Sequence, residues 1–167
     1  MTVSVTVDQV IVMLSDFITA VTGIPSDQIV RGQDNMAALP VGNVAVLTEI
    51  NQKNLSTTTV NQRDVDADYL ARASIDIQCD FYGELAGDNC RALENTFRST
   101  AIQNYFSDDV KPLYASDSIQ SPLISGEQQY VARWTLTATL QYNSFVTLAS
   151  ETFNTAGDIT STIADYL

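Results

Sequence analysis

The chain has no histidine and only two cysteines, and its 8 basic residues are outnumbered by 20 acidic ones, for a formal net charge of −12 over 167 residues. The missing imidazole removes histidine-based acid–base catalysis, Ser-His-Asp and Cys-His triads, and zinc sites that need a histidine ligand. Cys79 and Cys90 form no CxxC pair and cannot supply a four-cysteine metal site. A disulfide between them is one option, and two buried free thiols in a reducing compartment is the favoured one. Two lysines and six arginines are too few for the basic patch that phosphate binding normally needs. An apolar run of about 18 residues is missing, as is a basic-flanked signal segment, so the chain is expected to be soluble and unexported, without membrane contact. The GxxxxGK[ST], GxGxxG and GxSxG motifs are absent as well, which leaves phosphate cradles and nucleophile elbows without support, and no cofactor is expected.

What is present suits a single core: 45% of the residues are hydrophobic, and one domain commonly holds about 100–200 residues. Val7, Val10, Ile11, Leu14, Phe17, Ile18 and Val21 recur at helical spacing, which predicts an amphipathic helix over 7–22. Thr6 and Gln9 are spaced for a capping box, Gly23 is placed to end the helix, and Pro25 stops its continuation. Residues 26–42 read as an irregular connection, with room for a short strand at Ile29–Val30. A strand is expected over 43–52, turning polar toward its end. Residues 53–68 bring few apolar side chains and read as a projecting hairpin or a mobile loop. Ala73, Ile75, Ile77, Cys79 and Phe81 then alternate with Ser74, Asp76, Gln78 and Asp80, as on a half-buried strand.

A second helix is expected from Asp88 as cap to about Phe106, with Cys90, Leu93, Phe97, Ala101 and Tyr105 on its stripe. A short strand is an option at 113–119. The strongest signal follows, where Tyr130, Ala132, Trp134, Leu136, Ala138, Leu140 and Tyr142 all fall on even positions. Such a strand spans roughly 43 Å at about 3.3 Å per residue, whereas a 16-residue helix covers about 24 Å. It should overhang its own domain and need burial or pairing from another chain. Residues 148–167 carry Glu151, Asp158 and Asp165 with no base and no clear period, and read as an extension ordered against neighbouring subunits. The fold class expected is α+β: a mostly antiparallel sheet with two helices on one face, spanning 1–147, with the arm or loop 53–68 projecting from it.

Few residues form a chemical constellation. Asp64, Asp66 and Asp68 alternate like the start of an EF-hand loop, but Tyr69 stands where glycine is needed and Ile75 where the bidentate carboxylate belongs. A solvated acidic strand face is the plainer reading. Asp76 and Asp80 would lie roughly 13 Å apart on one strand face, beyond the ~5–9.5 Å of glycosidase pairs. Arg72 and Arg133 read as cross-strand ion-pair partners of aspartates, and Trp134 reads as a core residue.

The segment Pro112-Leu113-Tyr114, the pair Ser116-Asp117, the run from Pro122 through Leu123-Ile124-Ser125-Gly126-Glu127-Gln128-Gln129 to Tyr130, the pair Arg133-Trp134 and the closing Leu140-Gln141-Tyr142-Asn143 occur in this order. This half of the chain resembles the bacteriophage neck or tail-terminator proteins. The Thr48-Glu49 strand and the Ile75-Asp76-Ile77-Gln78-Cys79 strand also sit where that family has them. Ser144 stands where the family's pattern has proline, and beyond Val146 the pattern departs.

The resemblance implies a non-enzymatic virion component, assembled in the host cytoplasm, with a tail-tube protein and a head–tail connector or adaptor as partners. It further implies a homo-oligomeric ring of six copies that ends the tail tube and lets DNA pass without specific binding. A lumen lined with negative charge would repel phosphates. On this reading Arg63, Asp64, Asp66 and Asp68 belong to an arm facing the lumen or the tube. Arg72, Gln128, Gln129, Tyr130 and Arg133 belong to the subunit interface. The rival readings are a connector adaptor or minor tail subunit, an acidic carboxylate-dependent glycoside hydrolase, and a carbohydrate-binding module.

Overall fold

The computed structural model describes residues 4–32, 41–62, 66–121, 123–124 and 130–149. Helix α1 runs Val7–Thr22, and the expected caps close both of its ends. The Thr6 hydroxyl accepts from the Gln9 backbone N–H, and the Gln9 side chain accepts from the Thr6 N–H. Gly23 takes a left-handed φ of 74°, which a side chain would disfavour. The short strand allowed for in the connection is present as β1, Ile29–Arg31, and it pairs parallel with β2, Val44–Asn54. All other pairings among the described strands are antiparallel, so the sheet is mixed but mostly antiparallel.

The remaining strands are β3 (Thr59–Gln62), β4 (Asp66–Tyr82), β5 (Val110–Ala115), β6 (Ile119–Gln120), β7 (Leu123–Ile124), β8 (Tyr130–Val131) and β9 (Arg133–Ala149). Their order is β1-β2-β4-β9-β5, with β3 continuing the β2 edge of β4 and β6 continuing the β5 edge of β9. Strands β4 and β9 pair along their whole length, from Asp66 opposite Ala149 to Tyr82 opposite Arg133. Both have 17 residues, roughly 55 Å at about 3.3 Å per residue.

The phase expected for both long strands is the one observed. Ala73, Ile75, Ile77, Cys79 and Phe81 from β4, with Leu136, Ala138, Leu140 and Tyr142 from β9, form one buried layer under the helices. The boundaries differ in ways that pairing explains. Strand β4 begins at Asp66 rather than near Ala73, because β3 and β9 supply backbone partners on both sides of its polar start. Strand β9 begins at Arg133 rather than Tyr130, since residues 130–131 pair instead with β7 in a separate two-stranded sheet. It continues to Ala149, taking in the first two residues assigned to the carboxyl-terminal extension; residues 150–167 lie outside the described ones.

Helix α2 (Ala86–Phe97) is shorter than its pattern suggested. Asp88 sits in its first turn and not at the cap, which is Leu85. After Arg98 the chain re-forms as a 3-10 turn over Thr100–Tyr105, capped by the Ser99 hydroxyl. That tighter period of about 3 residues per turn buries Ile102 and Phe106 and leaves Ala101 and Tyr105 exposed on the stripe drawn for them. Phe17 of α1 closes this corner, with the Phe97, Tyr105 and Phe106 rings at 6.2, 5.1 and 5.9 Å. Trp134 packs against the core, over Gly87, where an added Cβ would come within 3.1 Å of the indole. Cys79 and Cys90 are both buried free thiols, and burial raises the pKa of each. Among the described residues no helix is long and apolar enough to cross a membrane.

Candidate functional site

The face of the sheet turned away from the helices carries the even-numbered side chains of β4 and the odd-numbered ones of β9. Its polar groups answer one another across the ladder. The Thr139 hydroxyl donates to Asp76 at 2.7 Å and the Thr147 hydroxyl to Asp68 at 2.6 Å, each from the position directly opposite. Arg133 donates to Asp80 at 2.8 Å, and the Gln78 amide reaches the same carboxylate at 2.9 and 3.0 Å. Asp68 and Asp80 are buried by these contacts. The expected solvated acidic face is therefore a hydrogen-bonded one at Asp68, because a threonine stands opposite it.

These pairings bear on chemistry. Asp76 and Asp80 stay four ladder positions apart on one strand face, each held by its own partner, as the strand spacing required. Among the described residues no group of three acidic or cysteine side chains is gathered to hold a metal.

The second feature is the arm, the hairpin that the polar stretch 53–68 allowed. Beyond Glu49 a register shift turns β2 outward, and its last five residues are exposed, as is all of β3. Strand β3 then pairs with Ala67–Leu70, and the far end of β9 covers the other edge of that stretch. The arm is thus three strands wide and continues the core sheet past the helices. Val60, Tyr69 and Val146 form one cross-strand row on the continuation of the core face, with Val60 and Tyr69 exposed. On the opposite face, Phe145 is exposed opposite Leu70.

The charge distribution sets the arm apart. Arg31 pairs with Asp8, Arg91 and Arg98 with Glu94, Lys111 with Asp108, and Arg133 with Asp80. Lys53 and Arg72, both exposed and both on the arm, have no such partner among the described residues. Of the residues singled out from sequence, Asp66, Asp68 and Arg72 stand together on one face of the arm's β4 segment, two residues apart or four, while Arg133 lies at the opposite end of the sheet. Arg63, Asp64, Gln128 and Gln129 fall outside the described residues, and Tyr130 is placed by its backbone pairing with Ile124.

Sequence reasoning missed the buried Glu94. Its carboxylate accepts from the Ser118 hydroxyl at 2.5 Å and from the Ser118 N–H at 3.0 Å, which fastens the strand-to-strand loop onto α2. Its pKa is lowered, chiefly by the Ser118 hydroxyl, against the opposing effect of burial. The local signals were the helical spacings of Glu94 to Arg91 and to Arg98, and they do not announce Ser118.

The family model for phage neck terminator proteins matches residues 8–165, nearly the whole chain. No curated protein matches it.

Proposed function

We propose that this chain, which belongs to the phage neck terminator protein family and is a structural protein of the phage neck, forms a closed ring that ends the tail tube, joins it to the head connector and leaves a passage for DNA. The observation that carries the ring is the arm. Two 17-residue strands outrun the helices, and the overhang exposes Val60, Tyr69, Phe145 and Leu148. Exposed apolar surface on an extended sheet is stabilised by association, and a closed cyclic arrangement lets every copy bury the same surface. The number of copies, six, comes from the resemblance of the 112–143 segment to tail-terminator proteins.

The acidic balance of −12 supports a passage that DNA traverses without binding, because carboxylates repel phosphates and few cations are free to retain them. The stretch that carries Arg63, Asp64, Asp66 and Asp68 is assigned to the lumen or to the rim that meets the tube. The host cytoplasm is the place of assembly. Residues 1–149, with the end of β9 included, act as the ring-forming domain and 150–167 as an extension that settles against neighbours.

Native mass spectrometry of the purified chain tests the ring: a dominant species of six subunits is expected, and a monomer at all accessible concentrations overturns it. Imaging of particles from a host in which the gene is disrupted tests the role. Tails of uncontrolled length, detached from heads, are expected.

A further inference from the structure

We propose that the root of the arm docks on the opposite pole of a second copy of this chain, so that the ring closes head to tail through complementary charge. This rests on the ring reading above and specifies its interface. The arm side is defined by Lys53, Arg72 and Phe145. Lys53 is opposite Ser74 and Arg72 opposite Asn143, which puts both cations on the face away from the helices, the same face that carries Phe145. All three are exposed, and neither cation has an acidic partner among the described residues. Asp68 on that face is turned to Thr147, so its carboxylate is already engaged.

The receiving side lies where β2 starts and β4 ends, roughly 33 Å from Arg72 along β4 at about 3.3 Å per residue. A cleft of about 310 Å³ opens there between the end of α1 and the start of α2, lined by Gly23, Pro25, Asn43, Leu85 and Asn89. Leu85 is exposed at its edge. Asp27, Glu84 and Asp88 directly adjoin the lining residues Gln28, Leu85 and Asn89 in the chain, all three exposed and none in an ion pair among the described residues. The remaining described acids without a salt bridge or hydrogen-bond partner, Asp16 and Asp109, adjoin none of the lining residues in the chain.

In a chain of net charge −12, two copies repel unless their contact matches opposite charges. Lys53 and Arg72 are the described cations free to do so, and at the other pole three exposed acids without a salt bridge among the described residues, Asp27, Glu84 and Asp88, each adjoin a cleft residue in the chain. Phe145 against Leu85 gives that contact an apolar centre within a charged rim. Because the two patches sit at opposite ends of one molecule, the contact is heterologous. Such contacts close into rings when the rotation permits.

The test uses two full-length charge-reversal variants: Lys53→Glu with Arg72→Glu, and Glu84→Lys with Asp88→Lys. Each alone places like charges at every interface and is expected to lower the assembled fraction at least tenfold in native mass spectrometry. Mixed one to one, they are expected to restore assembly with the two variants alternating, since each arm then meets an opposite pole. Restoration also shows that both variants are folded. Wild type remaining monomeric overturns the ring and this interface together. Wild-type rings combined with variants that assemble alone, or with variants of native circular dichroism that stay apart when mixed, overturn the interface and leave the ring standing.

Discussion

Arg133 reaches across the sheet to Asp80 at 2.8 Å, joining the first residue of β9 to the last carboxylate of β4. The carboxylate is buried, and the arginine side chain is about a quarter exposed. The pair marks the end of the long ribbon opposite the arm, and its energetics follow from burial. Removing Arg133 leaves an uncompensated buried acid, for which costs of about 3 kcal/mol are typical. Arg133→Met is expected to lower stability by about 2–3 kcal/mol in urea unfolding, the Gln78 bonds offsetting part of the loss. Asp80→Asn combined with Arg133→Met should recover part of the difference. A double variant no more stable than Arg133→Met alone would count against this account.

Glu94 makes stability depend on pH. Its folded-state pKa lies below the ordinary carboxylate value, chiefly because the Ser118 hydroxyl donates to it. The stabilisation is therefore present above the unfolded-state pKa of about 4.3 and is lost as pH falls through the lower folded value. Glu94→Gln is expected to destabilise at pH 7 by about 1–2 kcal/mol and to flatten the part of the pH–stability curve below pH ~4.3. Equilibrium unfolding from pH 7 down to pH 3 measures both.

The phase of β9 is tested in its middle. Leu136 is fully buried under the helices, so Leu136→Ala is expected to cost about 3 kcal/mol. Thr137, its neighbour on the other face, is half-buried, and Thr137→Ala should cost about 1 kcal/mol or less. Thermal melts followed by circular dichroism separate the two, and equal losses would contradict the assigned faces.

Excising the arm separates folding from assembly. The Leu55 N–H donates to the Arg72 carbonyl at 2.8 Å, so the two residues already stand across from each other. Replacing residues 56–71 by Asn-Gly should close a tight hairpin there. The shortened chain is expected to keep a cooperative melt, because the main buried core lies beyond residue 72 on β4. Its assembled fraction should fall sharply in native mass spectrometry. Loss of the cooperative melt would place the arm within the folding core.

Local patterns in the sequence carried most of the core. The Thr6–Gln9 capping box and Gly23 bound α1 because caps are contacts within a few residues, and the period-two alternation assigned the buried apolar side chains from Ala73 to Phe81 and from Leu136 to Tyr142 to their face. The family resemblance likewise rested on a run of residues close together in the chain, and the match over 8–165 agrees with it. Where each element ends was a different matter. The polar stretch 53–68 read equally as a hairpin or a loop, and its last residues become the start of β4 because β3 and the far end of β9 satisfy the backbone there from both sides. Asp68 looked solvated until Thr147, 79 residues away, was brought opposite it. That Lys53 and Arg72 have no acidic partner among the described residues is likewise a fact of placement: whether a cation meets a carboxylate depends on distances in space that chain order does not encode. Periodicity and capping are local and can be read along the chain, whereas register and charge pairing are set by strands that meet only when the sheet forms.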